Sequence, residues 1–192
     1  PYDCQMQRLN LDIYGIGLEI YSPNRVIINL LSKDFSWFKN PEGKQLKVGI
    51  FYQAVPDQII PQVEVSKYRP HCLVYEHEGQ RFIRYEHVLC HEKNNDSVCF
   101  YGDDISQLHE VVYLYILSKS GKKMDLAGLH KVHAFSVVLN EVCLIGMMPM
   151  KGGKTTMFLN LLQETGAQII SDDTPLISRR GEVLAFPLRV GL

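Results

Sequence analysis

Residues Val142 to Asp173, VCLIGMMPMKGGKTTMFLNLLQETGAQIISDD, decide how this chain is read. An apolar run, Val142 to Ile145, leads into a loop that carries Gly146, Pro149, Gly152 and Gly153. Lys154-Thr155-Thr156 then opens an amphipathic helix, and a second apolar run, Ala167 to Ile170, ends in Ser171-Asp172-Asp173. Strand, glycine loop, Lys-Thr, helix, strand and acidic pair is the order of parts in a phosphate-binding loop with its magnesium partner.

Each part has a physical reason. Backbone N–H groups of a loop at a helix N-terminus converge on one spot, and the helix dipole makes that spot positive. Gly152 and Gly153 allow positive φ and a close approach of backbone to phosphate oxygens. The reach of Lys154 suits β- and γ-phosphates, and the Thr155 hydroxyl suits magnesium. Asp172 and Asp173 are placed to hold that ion, directly or through water, and one of them to take a proton from an attacking hydroxyl. Pro149, Met150, Lys151 and Thr156 complete the stretch expected to wrap the nucleotide. The strict pattern G-x-x-x-x-G-K-[ST] is not met, because its first glycine falls on Met148. The competing reading is a glycine-rich turn ahead of a core helix, with Asp172-Asp173 as a solvated turn.

These residues resemble the kinase core of HPr kinase/phosphorylase and of HPr-kinase-like proteins, which share the fold of ATP-dependent phosphoenolpyruvate carboxykinase. In that register the family histidine falls on His133, the loop on Met148 to Thr155, the lysine on Lys154 and the acidic pair on Asp172-Asp173. The resemblance spans Leu129 to Leu192, about a third of the chain. It departs at Met148 and Lys151, where the family carries glycine, and at Met150, where it carries serine. The resemblance implies ATP and magnesium as cofactors, with Lys154, Asp172, Asp173 and His133 as the catalytic set. HPr-kinase-like proteins continue past the position of Leu192, so the chain is expected to be part of a longer protein.

Composition narrows the remaining classes. A chain of 192 residues, 46% hydrophobic and 21% charged, has the make-up of a globular protein of one large or two small domains. A net charge of −1 offers no basic excess for nucleic-acid binding. No apolar run reaches membrane-spanning length, and a signal-peptide pattern is missing, so no membrane partner is expected. Five cysteines (Cys4, Cys72, Cys90, Cys99 and Cys143) lack framework spacing, which points to a reducing cytoplasm.

Upstream, Leu9 to Tyr21 alternates as one strand or a strand pair with a glycine break, and Ser22-Pro23-Asn24 starts a helix with Val26, Ile27, Leu30 and Leu31 on its apolar face. Asn40-Pro41-Glu42-Gly43 reads as a turn, Leu46 to Val55 as a strand and Pro56 to Pro61 as a loop. Two hairpins follow, turning at His77 to Gln80 and at Lys93 to Asp96. Residues 1–103 are therefore expected to form a small, mainly antiparallel α+β domain. Ile105 to Lys119 is the clearest helix, capped by Asp104 or Ser106 and ended by Gly121, within a bridging segment 104–128. Two further hairpins are expected around Asn140-Glu141 and Arg179 to Glu182. His87, Cys90, His91 and Cys99 form an H-x-x-C-H…C set, but the spacing fits no common zinc finger and alternation splits neighbours between faces.

The expected fold is therefore α/β: the α+β domain, then the first part of an HPr-kinase-like phosphate-loop domain over 129–192. The expected function is ATP-dependent phosphoryl transfer to a hydroxyl of a protein or small molecule, with a homo-oligomer among the partner states considered. The alternative is a non-catalytic nucleotide-binding regulator, which the departures at Met148 and Met150 favour.

Overall fold

The computed structural model describes residues 5–42, 45–149, 151–164 and 166–187; Cys4, Gly43, Met150 and Val190-Gly191-Leu192 lie outside the described residues. The architecture is mixed α/β, and the chain divides into two compact units, Pro1–Ser120 and Gly121–Leu192.

Unit 1 opens with the expected strand pair. β1 (Gln7–Ile13) and β2 (Ile16–Ser22) run antiparallel from Gln7↔Ser22 to Ile13↔Ile16. Tyr14 and Gly15 both take positive φ, 51° and 84°, which is the two-residue turn whose twist matches the strands. Asn24 then caps α1 (Arg25–Asp34), its side-chain oxygen accepting from the Val26 amide at 2.9 Å and the Ile27 amide at 3.4 Å. β3 (Leu46–Tyr52), β4 (Lys67–Arg69), β5 (Cys72–His77), β6 (Gln80–Arg84), β7 (Val88–Asn94) and β8 (Ser97–Gly102) complete one sheet in the order β1-β2-β3-β8-β7-β6-β5-β4. β3 is parallel to both neighbours, β2 and β8, while the other pairs are antiparallel. The β2–β3 connection carries α1, the helical crossover that a parallel pair requires.

Register places one apolar row after another on a single face: Leu11, Leu18 and Leu46, then Leu9, Ile20, Val48 and Val98, then Ile50, Phe100 and Cys90. All of these are buried. α1 adds Ile27, Ile28 and Leu31 to that core. α2 (Ile105–Ala127) adds Leu108, Val112 and Ile116, with Tyr115 edge-on to Phe100 at 5.1 Å. Burying each such side chain contributes about 1.5–3 kcal/mol. The helices meet where Phe35 lies against Tyr113, ring centroids 5.4 Å apart, and where His109 and Asp34 pair at 2.6 Å.

Asp104 does cap α2, accepting from the Gln107 amide at 2.8 Å. The expected stop at Gly121 is corrected: α2 continues to Ala127, and Gly128, at φ 84°, follows its last residue. A mid-helix glycine costs only about 1 kcal/mol, and the extension carries Met124, which is fully buried. The Lys131 side chain reaches over this position, where an added Cβ would sit 2.7 Å from its Nζ. The division between the units falls inside this helix.

Unit 2 contains two three-stranded sheets. β9 (Leu129–Lys131) pairs with β13 (Leu176–Ser178), which also pairs with β14 (Val183–Leu184) in the expected 179–182 hairpin. β10 (Phe135–Leu139) and β11 (Val142–Gly146) form the other expected hairpin, its turn made by Asn140 and Glu141 at φ 50° and 64°. β12 (Gln168–Ser171) lies antiparallel to β10 on the far side, so it runs parallel to β11. The connection between β11 and β12 holds the glycine loop and α3 (Lys154–Leu161). Phe158 of α3 packs on Phe135 and Val137, with Leu161 and Leu162 around them. The Phe135 ring covers Gly146 so closely that no side chain fits there.

Candidate functional site

The β10–β12 ladder sets the site. His133 lies two residues before β10 and Asp173 two residues after β12. Between them the Ala134 amide donates to the Asp173 carbonyl at 2.9 Å, and the Val132 amide to the Pro175 carbonyl at 3.1 Å. Two segments 40 residues apart in sequence are thereby held side by side.

The glycine loop delivers the third member. The Gly152 amide donates to the Pro149 carbonyl at 2.9 Å, and a Cβ at Gly152 would lie 2.8 Å from that same oxygen. Gly153 takes φ 85° as the N-cap of α3, with no side chain capping the helix. The first helical bond runs from the Met157 amide to the Gly153 carbonyl at 2.9 Å, so the amides of residues 154–156 precede it and have no partner within the helix. Lys151, where the resembled family carries glycine, also has positive φ, 63°, a conformation that costs a residue with a side chain roughly 1–2 kcal/mol.

Lys154 is the first residue of α3, and its Nζ donates to Asp173 Oδ1 at 2.5 Å. The same nitrogen lies 3.1 Å from His133 Nε2, and His133 Nδ1 lies 3.1 Å from Asp173 Oδ1. The two ring nitrogens of His133 thus bridge the ammonium and the carboxylate. The hydrogen bond from Lys154 holds the Asp173 carboxyl below its ordinary range against a smaller opposing effect of burial; the charges of Lys154 and His133 and the Thr174 hydroxyl at 3.3 Å act in the same direction as that bond. Asp173 stays ionised at neutral pH.

Beside this trio lies a cavity of about 450 Å³, bounded by His133, Met148, Pro149 and residues 151–156. Lys154, His133 and Asp173 are thus brought together, with Pro149, Lys151, Gly152, Gly153, Thr155 and Thr156 around one hollow. Asp172 is exposed and forms no ion pair with Lys154 or His133 among the described residues. Met150 lies outside them. Thr174 was not singled out in the sequence. Its signal is the S-D-D-T run, in which the Ser171 hydroxyl accepts from the Thr174 amide at 3.0 Å and fixes the bend that presents Asp173.

Among the described residues no three His, Cys, Asp or Glu side chains are grouped as a metal cage. Magnesium does not need one, since it binds through one or two protein oxygens together with phosphate oxygens and water. The Thr155 hydroxyl and the ionised Asp173 carboxylate are donors of that kind, so the residues fit the ion. The H-x-x-C-H…C set has structural partners instead. His91 Nε2 donates to Gln80 Oε1 at 2.6 Å and its ring stacks on Phe82 at 4.3 Å, while Cys90 faces the core and burial pushes its thiol well up.

No family model matches this sequence, and no curated protein matches it. No helix among the described residues is long and apolar enough to cross a membrane.

Proposed function

We propose that this chain binds ATP and magnesium at the 149–156 loop and transfers the γ-phosphoryl group to a hydroxyl of a protein or small molecule, as an HPr-kinase-like kinase. One observation carries the reading: Lys154, the first residue after the glycine loop, converges with His133 and Asp173 beside a hollow of nucleotide-phosphate size. Loop amides and the start of α3 bind the phosphates. Lys154 exchanges Asp173 for β- and γ-phosphate oxygens; Thr155 and Asp173 would hold a magnesium ion, which would supply charge neutralisation to the phosphates. The acceptor oxygen forms its bond to the γ-phosphorus as the β–γ bridging bond breaks, and ADP leaves. The acceptor proton passes to Asp173 or Asp172, with His133 orienting Asp173. A low carboxylate pKa suits a loose transition state, in which the base positions the hydroxyl more than it deprotonates it early.

Calorimetry with Mg-ATP, followed by an ATP turnover assay, tests this in the wild-type chain and in Lys154→Ala. Saturable binding and turnover that both fall by about a thousandfold or more in the variant are expected if charge stabilisation dominates. Full activity in Lys154→Ala removes the assignment. A second reading, a nucleotide-binding regulator without turnover, is favoured by Asp172 standing apart from the cluster and by Met148 in place of the strict pattern's glycine. It gives binding that needs Lys154, with no product formed.

A further inference from the structure

A second cavity lies in unit 1, unrelated to the phosphate-loop reading. α2 covers the middle of the unit 1 sheet, and strands β4 to β6 extend beyond it as a ledge. On the helix-facing side of that ledge the ladders line up Arg69 with Cys72, and Glu76 with Arg81 and Glu92. The angle between ledge and helix is a hollow of about 440 Å³, within the size range of small-molecule sites. Its apolar wall is Ile83, Val111 and Leu114, and Leu114 is 52% exposed, a large side chain left at the rim.

Three cations face this hollow (Arg69, Arg81 and Lys119) against one carboxylate, Glu92. Glu92 is already engaged by Lys119 at 2.7 Å, by Arg81 at 3.5 Å and by the Tyr115 hydroxyl, which donates at 2.9 Å. Arg81 Nε is buried without a hydrogen-bond partner, and Arg69 has no ion pair among the described residues. The neighbouring cavity, which shares Arg81, Glu92 and Lys119, has the opposite balance, because Glu76 and Glu78 also line it. Of these two neighbouring cavities, the ledge side is the one that combines excess positive charge with an apolar wall.

We propose that the hollow between β4–β6 and α2 binds a small organic anion, a carboxylate or phosphate monoester on an apolar body, with Arg69 and Arg81 on the anionic head and Ile83, Val111 and Leu114 on the body. The probes are 4-phenylbutanoate and phenyl phosphate, titrated into the whole chain with methyl-labelled isoleucine and leucine and followed by NMR. Saturable shifts of the Ile83 and Leu114 methyls are expected with at least one probe. The uncharged 4-phenylbutanamide should bind at least about tenfold more weakly than its acid, as loss of a charge-assisted hydrogen bond implies. Arg69→Gln removes an exposed, unpaired cation, so its free spectrum should match wild type while affinity falls about tenfold. Lys47→Gln, which removes equal charge from the opposite face of the sheet, should leave affinity unchanged. No methyl response to either probe, equal binding of the amide, or an Arg69→Gln affinity equal to that of Lys47→Gln would each overturn the assignment.

Discussion

The helix-covered face of the unit 1 sheet and the strands and helix around the unit 2 glycine loop differ in how far their apolar side chains are covered. In unit 1 the helix-facing rows of the large sheet are sealed, with Leu11, Ile20, Val48 and Phe100 all at zero exposure. In unit 2 apolar side chains stay in solvent: Val142 and Leu144 on β11, Ile169 on β12, Met157 and Leu159 on α3. The charged groups divide the same way. Glu92 sits almost buried and clamps α2 to the sheet, whereas Asp173 pairs with Lys154 while more than half exposed. An exposed pair contributes only about 0–1 kcal/mol to stability. Structural need therefore accounts for the Glu92 cluster and accounts poorly for a lysine, a histidine and an aspartate converging beside a glycine loop. That difference is the structural basis on which unit 2 is proposed to carry the chemistry.

The contrast is open to test by substitution, largest effect first. Phe100→Ala should cost unit 1 about 3–5 kcal/mol in urea unfolding, through lost burial and the cavity left behind. Leu159→Ala, half exposed on α3, should stay within about 0.5 kcal/mol. Equal costs would erase the distinction between the units. Glu92→Gln should lower stability by about 2–3 kcal/mol, because Lys119 and Arg81 lose their shared partner in a nearly buried setting. Gly153→Ala should cost about 1–2 kcal/mol from its positive φ alone, as nothing lies within 4 Å of the added methyl.

The smallest effect concerns acid. Lys154 holds Asp173 below the ordinary aspartate value of 3.8, so the pair's contribution is fully present above that value and is lost as pH falls through the lower folded one. Melting temperatures of wild type and Asp173→Asn should then differ by a constant, small amount from neutral pH to about 4 and converge below it. A difference that stayed constant through that acid range would contradict the linkage.

Local chemistry made much of this fold legible in the sequence. Asn24 and Asp104 announce their helices as caps. The turns at Tyr14-Gly15, Glu78-Gly79 and Asn140-Glu141 carry paired positive φ angles, and each lies inside an alternating segment. Pairing between distant segments was not legible. Nothing local in Leu46 to Tyr52 says that it lies between β2 and β8, parallel to both. Gly121 misled because a glycine tolerated in mid-helix looks, in sequence, the same as one that ends a helix. In the site, Lys154 and the Asp172-Asp173 pair could be named from spacing, whereas His133 was named only through the resemblance to HPr-kinase-like proteins. The roles of Asp172 and Thr174 were not separable, since the bend fixed by Ser171 decides which carboxylate turns toward the lysine.

The most direct test is an amide-resolved NMR titration of the chain with Mg-ATP. Saturable shifts centred on the amides of Gly152, Gly153, Lys154 and Thr155, abolished by Lys154→Ala, are expected if the loop cradles phosphate. Amides that stay still at saturating Mg-ATP, or that move only elsewhere in the chain, would contradict it.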